Sequence, residues 1–188
     1  MFEYINIFLK SMFIDNMVFA YFLGMCSYLA VSKKVSTAIG LGIAVTFVQV
    51  ITVPLNYLIY KYVLEAGALS WIDPSLAEID LSFLNLIVYI AVVATLVQLV
   101  EMIIEKFSPS LYNSLGIFLP LIAVNCAILG GSLFMQLRVD TGTYQNIGHV
   151  ITFGLSSGLG WLIAIVALAA IREKMEYSNV LAPLRGLG

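Results

Sequence analysis

The stretch VSTAIGLGIAVTFVQVITVPLNYLIY, from Val35 to Tyr60, runs without one charged side chain. A helix of about twenty such residues, rising 1.5 Å per residue, covers the hydrocarbon core of a bilayer. The apolar residues form a continuous run and do not alternate with polar ones, which selects a helix over a strand of a membrane barrel. Three more runs of the same kind follow: Leu81 to Val100, Leu111 to Leu137 and Ile147 to Ile171. A fifth, Asn16 to Ser32, is also free of charge, but Asp15 and Lys10 interrupt the longer apolar run that begins at Ile5. The opening Met1-Phe2-Glu3-Tyr4 has no basic region, so this first span is expected to be retained and not removed as a signal peptide.

Composition agrees along the whole chain. Of 188 residues, 61% are hydrophobic and 11% charged, with a net charge of −2, where about a quarter charged is usual for a soluble domain. So little charge cannot cover a water-soluble globule, which excludes a conventional soluble enzyme. With no basic patch to neutralise phosphates, nucleic acid is excluded as a partner. The expected fold class is an all-α integral membrane protein in contact with lipid. Its loops have no Gly-rich phosphate loop and no room for a dinucleotide fold, so no complete catalytic site is expected within the chain.

The basic residues are distributed unevenly. Lys33, Lys34, Lys106, Arg172, Lys174 and Arg185 fall in one set of loops, and Lys10, Lys61 and Arg138 in the other. The positive-inside rule puts the first set in the cytoplasm and the N-terminus outside.

Spans one and four share a pattern. Phe22-Leu23-Gly24-Met25-Cys26 and Phe118-Leu119-Pro120-Leu121-Ile122-Ala123-Val124-Asn125-Cys126 each begin with Phe-Leu and reach one of the two cysteines. A repeat of three spans, an odd number, inserts its second copy upside down, with the functional site near the midplane where discontinuous helices meet. In straight helices Cys26 would lie about 10 Å from the cytoplasmic side and Cys126 about 24 Å. The two converge only if both spans are broken, which Asp15 and Gly24 in the first, and Pro120, Asn125 and Gly130-Gly131 in the second, permit. Each cysteine alone reads as a small packed hydrophobe, and a disulfide would be unusual in such a core. Metal ligation is the sharper alternative. Zinc and iron–sulfur sites usually take four ligands, so two thiols would need a second protein: a copy of this chain, with zinc as one possibility, or a related subunit.

Several motifs resemble a known family. Phe22 to Cys26, Leu29-Ala30-Val31-Ser32-Lys33-Lys34, Val97-Gln98-Leu99-Val100-Glu101-Met102, Leu115-Gly116-Ile117-Phe118-Leu119-Pro120-Leu121, Val124-Asn125-Cys126-Ala127 and Arg172-Glu173-Lys174-Met175 are similar to the Nqr/Rnf family. Within it they look like the E subunits of Na⁺-translocating NADH:quinone oxidoreductases. The homologous A subunit of the Rnf complex, which uses ferredoxin, is the alternative; Lys174 to Ser178 and the Val-Ser-Lys-Lys turn favour the former. The resemblance implies six spans in two inverted three-helix repeats, residues 1–106 and 107–188, with half-helices in spans one and four. Five spans are present in the sequence, and the sixth is missing from its end. It further implies a homologous D subunit and an iron–sulfur centre of the 2Fe-2S type held between the two. Cys26 and Cys126 match the family's metal-ligand positions. The A, B, C and F subunits would complete a bacterial inner-membrane complex with a periplasmic N-terminus here. The flavins, NADH and quinone would bind to other subunits, and electron flow would export Na⁺. Glu101 matches an acid associated with sodium uptake. A small inverted-repeat secondary transporter is the rival from outside this family.

Other residues have plainer readings. Asp15 and Asn16 suit a cap at the start of a half-helix. Gly154 and Gly158, with Ser156 and Gly160, form a small-residue face for close helix packing. Trp71 and Trp161 are candidate interfacial anchors, and His149, at the outer end of span five, is expected at the membrane interface and not as a ligand.

Overall fold

The computed structural model describes residues 2–65, 82–107, 109, 112–113 and 119–176. Four helices among them are long and apolar enough to cross a membrane: Val35–Leu64, Asn85–Phe107, Pro120–Asp140 and Ile147–Met175. We label the α-helices α1 (Phe2–Leu9), α2 (Met25–Val31), α3 (Val35–Ile59), α4 (Asn85–Phe107), α5 (Leu119–Ala123), α6 (Cys126–Asp140) and α7 (Ile147–Glu176). Short π-helical turns extend α1 through Lys10–Ile14 and α3 through Tyr60–Leu64. Trp71, the residues past Glu176 and most of the segment before Leu119 lie outside the described residues.

The packing identifies two opposite faces. The Val35 N–H donates to Glu173 Oε2 (3.2 Å) and Arg172 donates to the Leu29 carbonyl (2.9 Å), so the ends of α2 and α7 and the start of α3 share one face with Lys33 and Lys34. At the other face Tyr60 donates to Asp140 Oδ1 (2.6 Å), joining the ends of α3 and α6. Helices α2 and α6 therefore run in opposite directions, each out from a break.

Helices α3 and α7 pack along their length, and the small-residue face is what lets them. A Cβ on Gly158 would lie 2.8 Å from Thr46 Cα, and one on Gly154 3.3 Å from the Gln49 carbonyl oxygen. The expected Gly154/Gly158 contact is thus made with α3. Gly160 lies instead against α1's extension, where a Cβ would meet the Met12 carbonyl oxygen at 2.7 Å.

Span one departs from the expectation of a helix from Asn16 to Ser32. The helical entry is Phe2–Ile14, the chain is non-helical from Asp15 to Gly24, and only Met25–Val31 resumes the helix. Lys10 and Asp15 do not bound the span; they lie in and at the end of its first half. Asp15 is tolerated there because it pairs with Arg138, both side chains being largely buried. Span three is shifted as well: after a 3₁₀ turn at Ser82–Leu84 it runs from Asn85 to Phe107 and carries Glu101, Glu105 and Lys106 within the helix. Charge ends the hydrocarbon-compatible stretch, not the helix, and Lys106 in the last turn suits the helix dipole.

Candidate functional site

The first break is a sequence of turns. Asp15 N–H closes the π-turn on the Lys10 carbonyl (2.8 Å), and Leu23 N–H reaches the Met17 carbonyl (2.8 Å). Phe22 (φ 57°) and Gly24 (φ 79°) adopt left-handed backbone, a conformation that glycine accepts without penalty. Gly24 then starts α2, with Tyr28 N–H donating to its carbonyl (3.0 Å) and the Ser27 hydroxyl doing the same (3.1 Å). Cys26 stands in the first turn of that half-helix.

The second break is only Val124 and Asn125. The Asn125 side chain caps α6 by accepting from the Ala127 N–H (3.0 Å), the arrangement an N-cap asparagine makes wherever the helix's first donors lack partners. Cys126 is the first residue of α6. The expected break at Gly130-Gly131 is not one. Both lie inside α6, where a Cβ on Gly130 would meet Leu23 Cδ1 and one on Gly131 would meet Gln49 Nε2, each at 2.5 Å. They are glycine because neighbours press on them.

The two breaks touch. A Cβ on Gly24 would lie 2.8 Å from both Asn125 Oδ1 and Trp161 Nε1, and 3.1 Å from Ala127 Cβ. Gly24, two residues before Cys26, thus packs on both chain neighbours of Cys126. The depths agree. Seven residues of rise put Cys26 about 10 Å from the Lys33 face, and the fifteen residues of α6 leave Cys126 at a similar depth in a core about 30 Å thick. Both thiols are free and exposed, while the neighbouring Asn125 and Ser27 are buried. Among the described residues no three His, Cys, Asp or Glu side chains cluster to hold a metal ion.

Glu101 is half-buried on α4, one turn before exposed Glu105. Its helix packs against α5, the segment leading to Cys126, but Glu101 is on the Lys33 face and not in the cysteine pair. Asp15 and Asn16 do not cap a half-helix. Asp15 pairs with Arg138, and Asn16 staples the break, donating to the Gly160 carbonyl (2.9 Å) and accepting from Val18 N–H (3.0 Å). Trp161 is no interfacial anchor; it is fully buried behind Gly24. His149 is at the Asp140 face as expected, but it is buried, packed on the rings of Tyr4 (4.8 Å) and Tyr144 (6.4 Å). Arg138 was missed as a site residue. It holds Asp15, donates to Tyr144 Oη (2.6 Å) and lies over the Phe153 ring (4.9 Å). Its signal in the sequence is that it follows a long run without charge.

A family model for the Rnf-Nqr subunit, a membrane protein, matches residues 4–187. The chain belongs to the Rnf-Nqr subunit family. Among its relatives is a protein of Psychrobacter cryohalolentis named as the E subunit of a Na⁺-translocating NADH-quinone reductase, 58% identical over 186 residues, covering 99% of this chain and 89% of that one. Proteins of the same name from Methylococcus capsulatus (57% identical over 185 residues, 98% of this chain and 88% of that one) and Rhodopirellula baltica (55% over 194, 99% and 89%) are similar to it along the same extent. For an Rnf-Nqr subunit the paired breaks are the part of the fold with chemistry to offer: two exposed thiols in the first turns, the positive ends, of two opposed half-helices.

Proposed function

We propose that this Rnf-Nqr subunit is the E-type electron-transfer subunit of a Na⁺-translocating NADH:quinone reductase. In this reading it supplies Cys26 and Cys126 as two ligands of an iron–sulfur centre of the 2Fe-2S type, completed by two cysteines of a homologous D subunit. The observation that carries the reading is the packing of Gly24 on Asn125 and Ala127, which sets the starts of the two half-helices that carry the exposed thiols against each other. The donor set fits half of such a centre and no more, which agrees with a shared site. The relatives' names favour the quinone-reducing complex over the ferredoxin-using one.

A bound iron–sulfur centre supplies one-electron chemistry. The chain's own contribution is positional. Gly24 and Asn125 fix the first turns of α2 and α6, whose positive dipole ends favour negative charge beside the thiolates. Phe19, Phe22 and Val124, exposed on the same breaks, offer an apolar surface for the partner and keep water from the sulfurs. NADH, the flavins and quinone bind elsewhere in the complex, which includes the A, B, C and F subunits. We place the complex in the bacterial inner membrane, with the Lys33 face cytoplasmic and the N-terminus periplasmic. Residues 1–106 and 107–188 are read as its two inverted repeats, and Glu101 as a contact for entering Na⁺, since carboxylate oxygen suits a hard cation.

The test is metal analysis and electron paramagnetic resonance of the purified complex. Cys26→Ser is expected to remove the centre's iron and its signal, and to stop electron flow. Glu101→Gln is expected to keep both while weakening the sodium dependence of turnover. Unchanged iron and spectrum in Cys26→Ser would leave the transporter reading standing, and zinc in place of iron would point to the homodimer.

A further inference from the structure

Among the described residues, eight buried polar side-chain atoms lack a hydrogen-bond partner, and five of them are oxygens: Gln49 Oε1, Thr52 Oγ1, Asn56 Oδ1, Asn85 Oδ1 and Tyr89 Oη. All five are on α3 and α4, which pack together. Gln49, Thr52 and Asn56 are 0% exposed and fall on one face of α3, at i, i+3 and i+7. Tyr60, at i+11, continues that row. Each amide has a serine hydroxyl at one end. Gln49 Nε2 donates to Ser157 Oγ on α7 (3.0 Å), and Asn56 Nδ2 donates to Ser132 Oγ on α6 (2.7 Å). Each amide therefore directs its N–H at a serine and leaves its carbonyl oxygen unmet. The row ends where Tyr60 meets Asp140, whose carboxylate is exposed at the face.

A water molecule offers protons and lone pairs alike, whereas the amide oxygens of Gln49, Asn56 and Asn85 can only accept. The hydroxyls of Thr52 and Tyr89 can accept as well as donate, so all five oxygens can face an electron-poor ligand, and oxygen ligands suit a hard cation. Two cationic side chains of this face are engaged elsewhere: Arg138 with Asp15 and Tyr144, and Lys61 over the Tyr57 ring at 5.8 Å. The Asp140 carboxylate is left at the mouth.

We propose that this seam binds Na⁺, partly stripped of water, between Gln49, Thr52 and Asn56, and opens at Tyr60 and Asp140. It forms a half-path about 16 Å long from the level of Ser157 to the Asp140 face. Neutral oxygens hold the ion loosely enough to release it, and the carboxylate at the mouth sets the sign of the ion admitted. Gly131 belongs to the design, because a Cβ there would lie 2.5 Å from Gln49 Nε2 and displace the amide. The proposal rests on the reading of the complex as a sodium pump, but not on the iron–sulfur ligands.

The experiment titrates NaCl against KCl at constant ionic strength. It reads quinone-reductase turnover and the melting temperature of the purified complex. Thr52→Val, which exchanges an oxygen for a methyl group, and Gln49→Met, similar in length, are each expected to raise the half-saturating Na⁺ about tenfold, the order seen for losing one supporting partner of a metal. Both should abolish the sodium-specific rise in melting temperature and leave iron content intact. Unchanged half-saturation and thermal response in either variant that assembles would mean that water fills the seam, and would overturn the proposal. Cys26→Ser separates the two readings: it is expected to lose iron and keep the sodium-specific thermal rise.

Discussion

The two breaks each start a half-helix with a cysteine in its first turn, but by different means. The first, from Asp15 to Gly24, has two left-handed residues and an internal acid. Its shape depends on distant residues: Arg138 on α6 holds Asp15, and the Gly160 carbonyl on α7 holds Asn16. The second, Val124 and Asn125, is closed by one local cap, Asn125 accepting from Ala127 N–H. A long break thus needs the finished fold to define it, while a short one is specified by the residues beside it. Damage to the first break should be felt across the subunit, and damage to the second should stay near Cys126.

Gly24 is where the comparison is easiest to break, because it belongs to the first break and presses on the second. Gly24→Val combines a left-handed backbone, which costs a side chain about 1–2 kcal/mol, with overpacking against Asn125 and Trp161, which costs about 1–3 kcal/mol more. Expected are a destabilisation of about 4 kcal/mol and loss of the complex's iron signal, read by thermal unfolding and metal analysis. Wild-type stability in Gly24→Val would mean that the breaks do not touch as described.

Arg138→Met comes next. It leaves Asp15 without its partner at a site where both side chains are less than a fifth exposed, and breaking such a pair from one side costs about 3 kcal/mol. Removing both charges, Arg138→Met with Asp15→Leu, should recover most of that loss, since a well-packed apolar pair of similar volume is often neutral. The double-mutant cycle, read by melting temperature, measures how far the long break depends on α6. Additive single effects would show that the pair carries no coupling.

The same division decides what was legible. Four spans could be read because continuous apolar length is a local property; only their ends moved, as at Phe107, where the helix outlasts the hydrocarbon-compatible stretch. The second break was legible because an asparagine directly before Cys126 is a helix-start signal. The first is legible at its two ends, Asp15 and Gly24, but the helical entry before it is not: Lys10 and Asp15 read as boundaries of the span, and the guanidinium that makes Asp15 tolerable is more than a hundred residues away. Trp161 reads as an interface residue for the same reason: its type suggests a surface, but Gly24 covers it. The cysteines stand out in the sequence by their setting, yet the contact between the starts of their half-helices depends on where both breaks fall.

Asn125 sharpens the comparison with the smallest expected effect. In Asn125→Ala the first turn of α6 loses its side-chain acceptor, and losses of this kind cost about 1 kcal/mol. Asn125→Ser keeps a cap oxygen and should recover most of it. The Ala127 N–H is buried with the residue that carries it, so water cannot readily replace the missing acceptor, and the loss should show as a lower melting temperature. The change should also be local. Amide hydrogen exchange is expected to rise in the first turn of α6 and stay unaltered around Asn16, because nothing in the long break uses the Asn125 cap for its own hydrogen bonds. Faster exchange spreading to Met17–Leu23 would show that the two breaks are one cooperative unit, with the short one supporting the long one through Gly24.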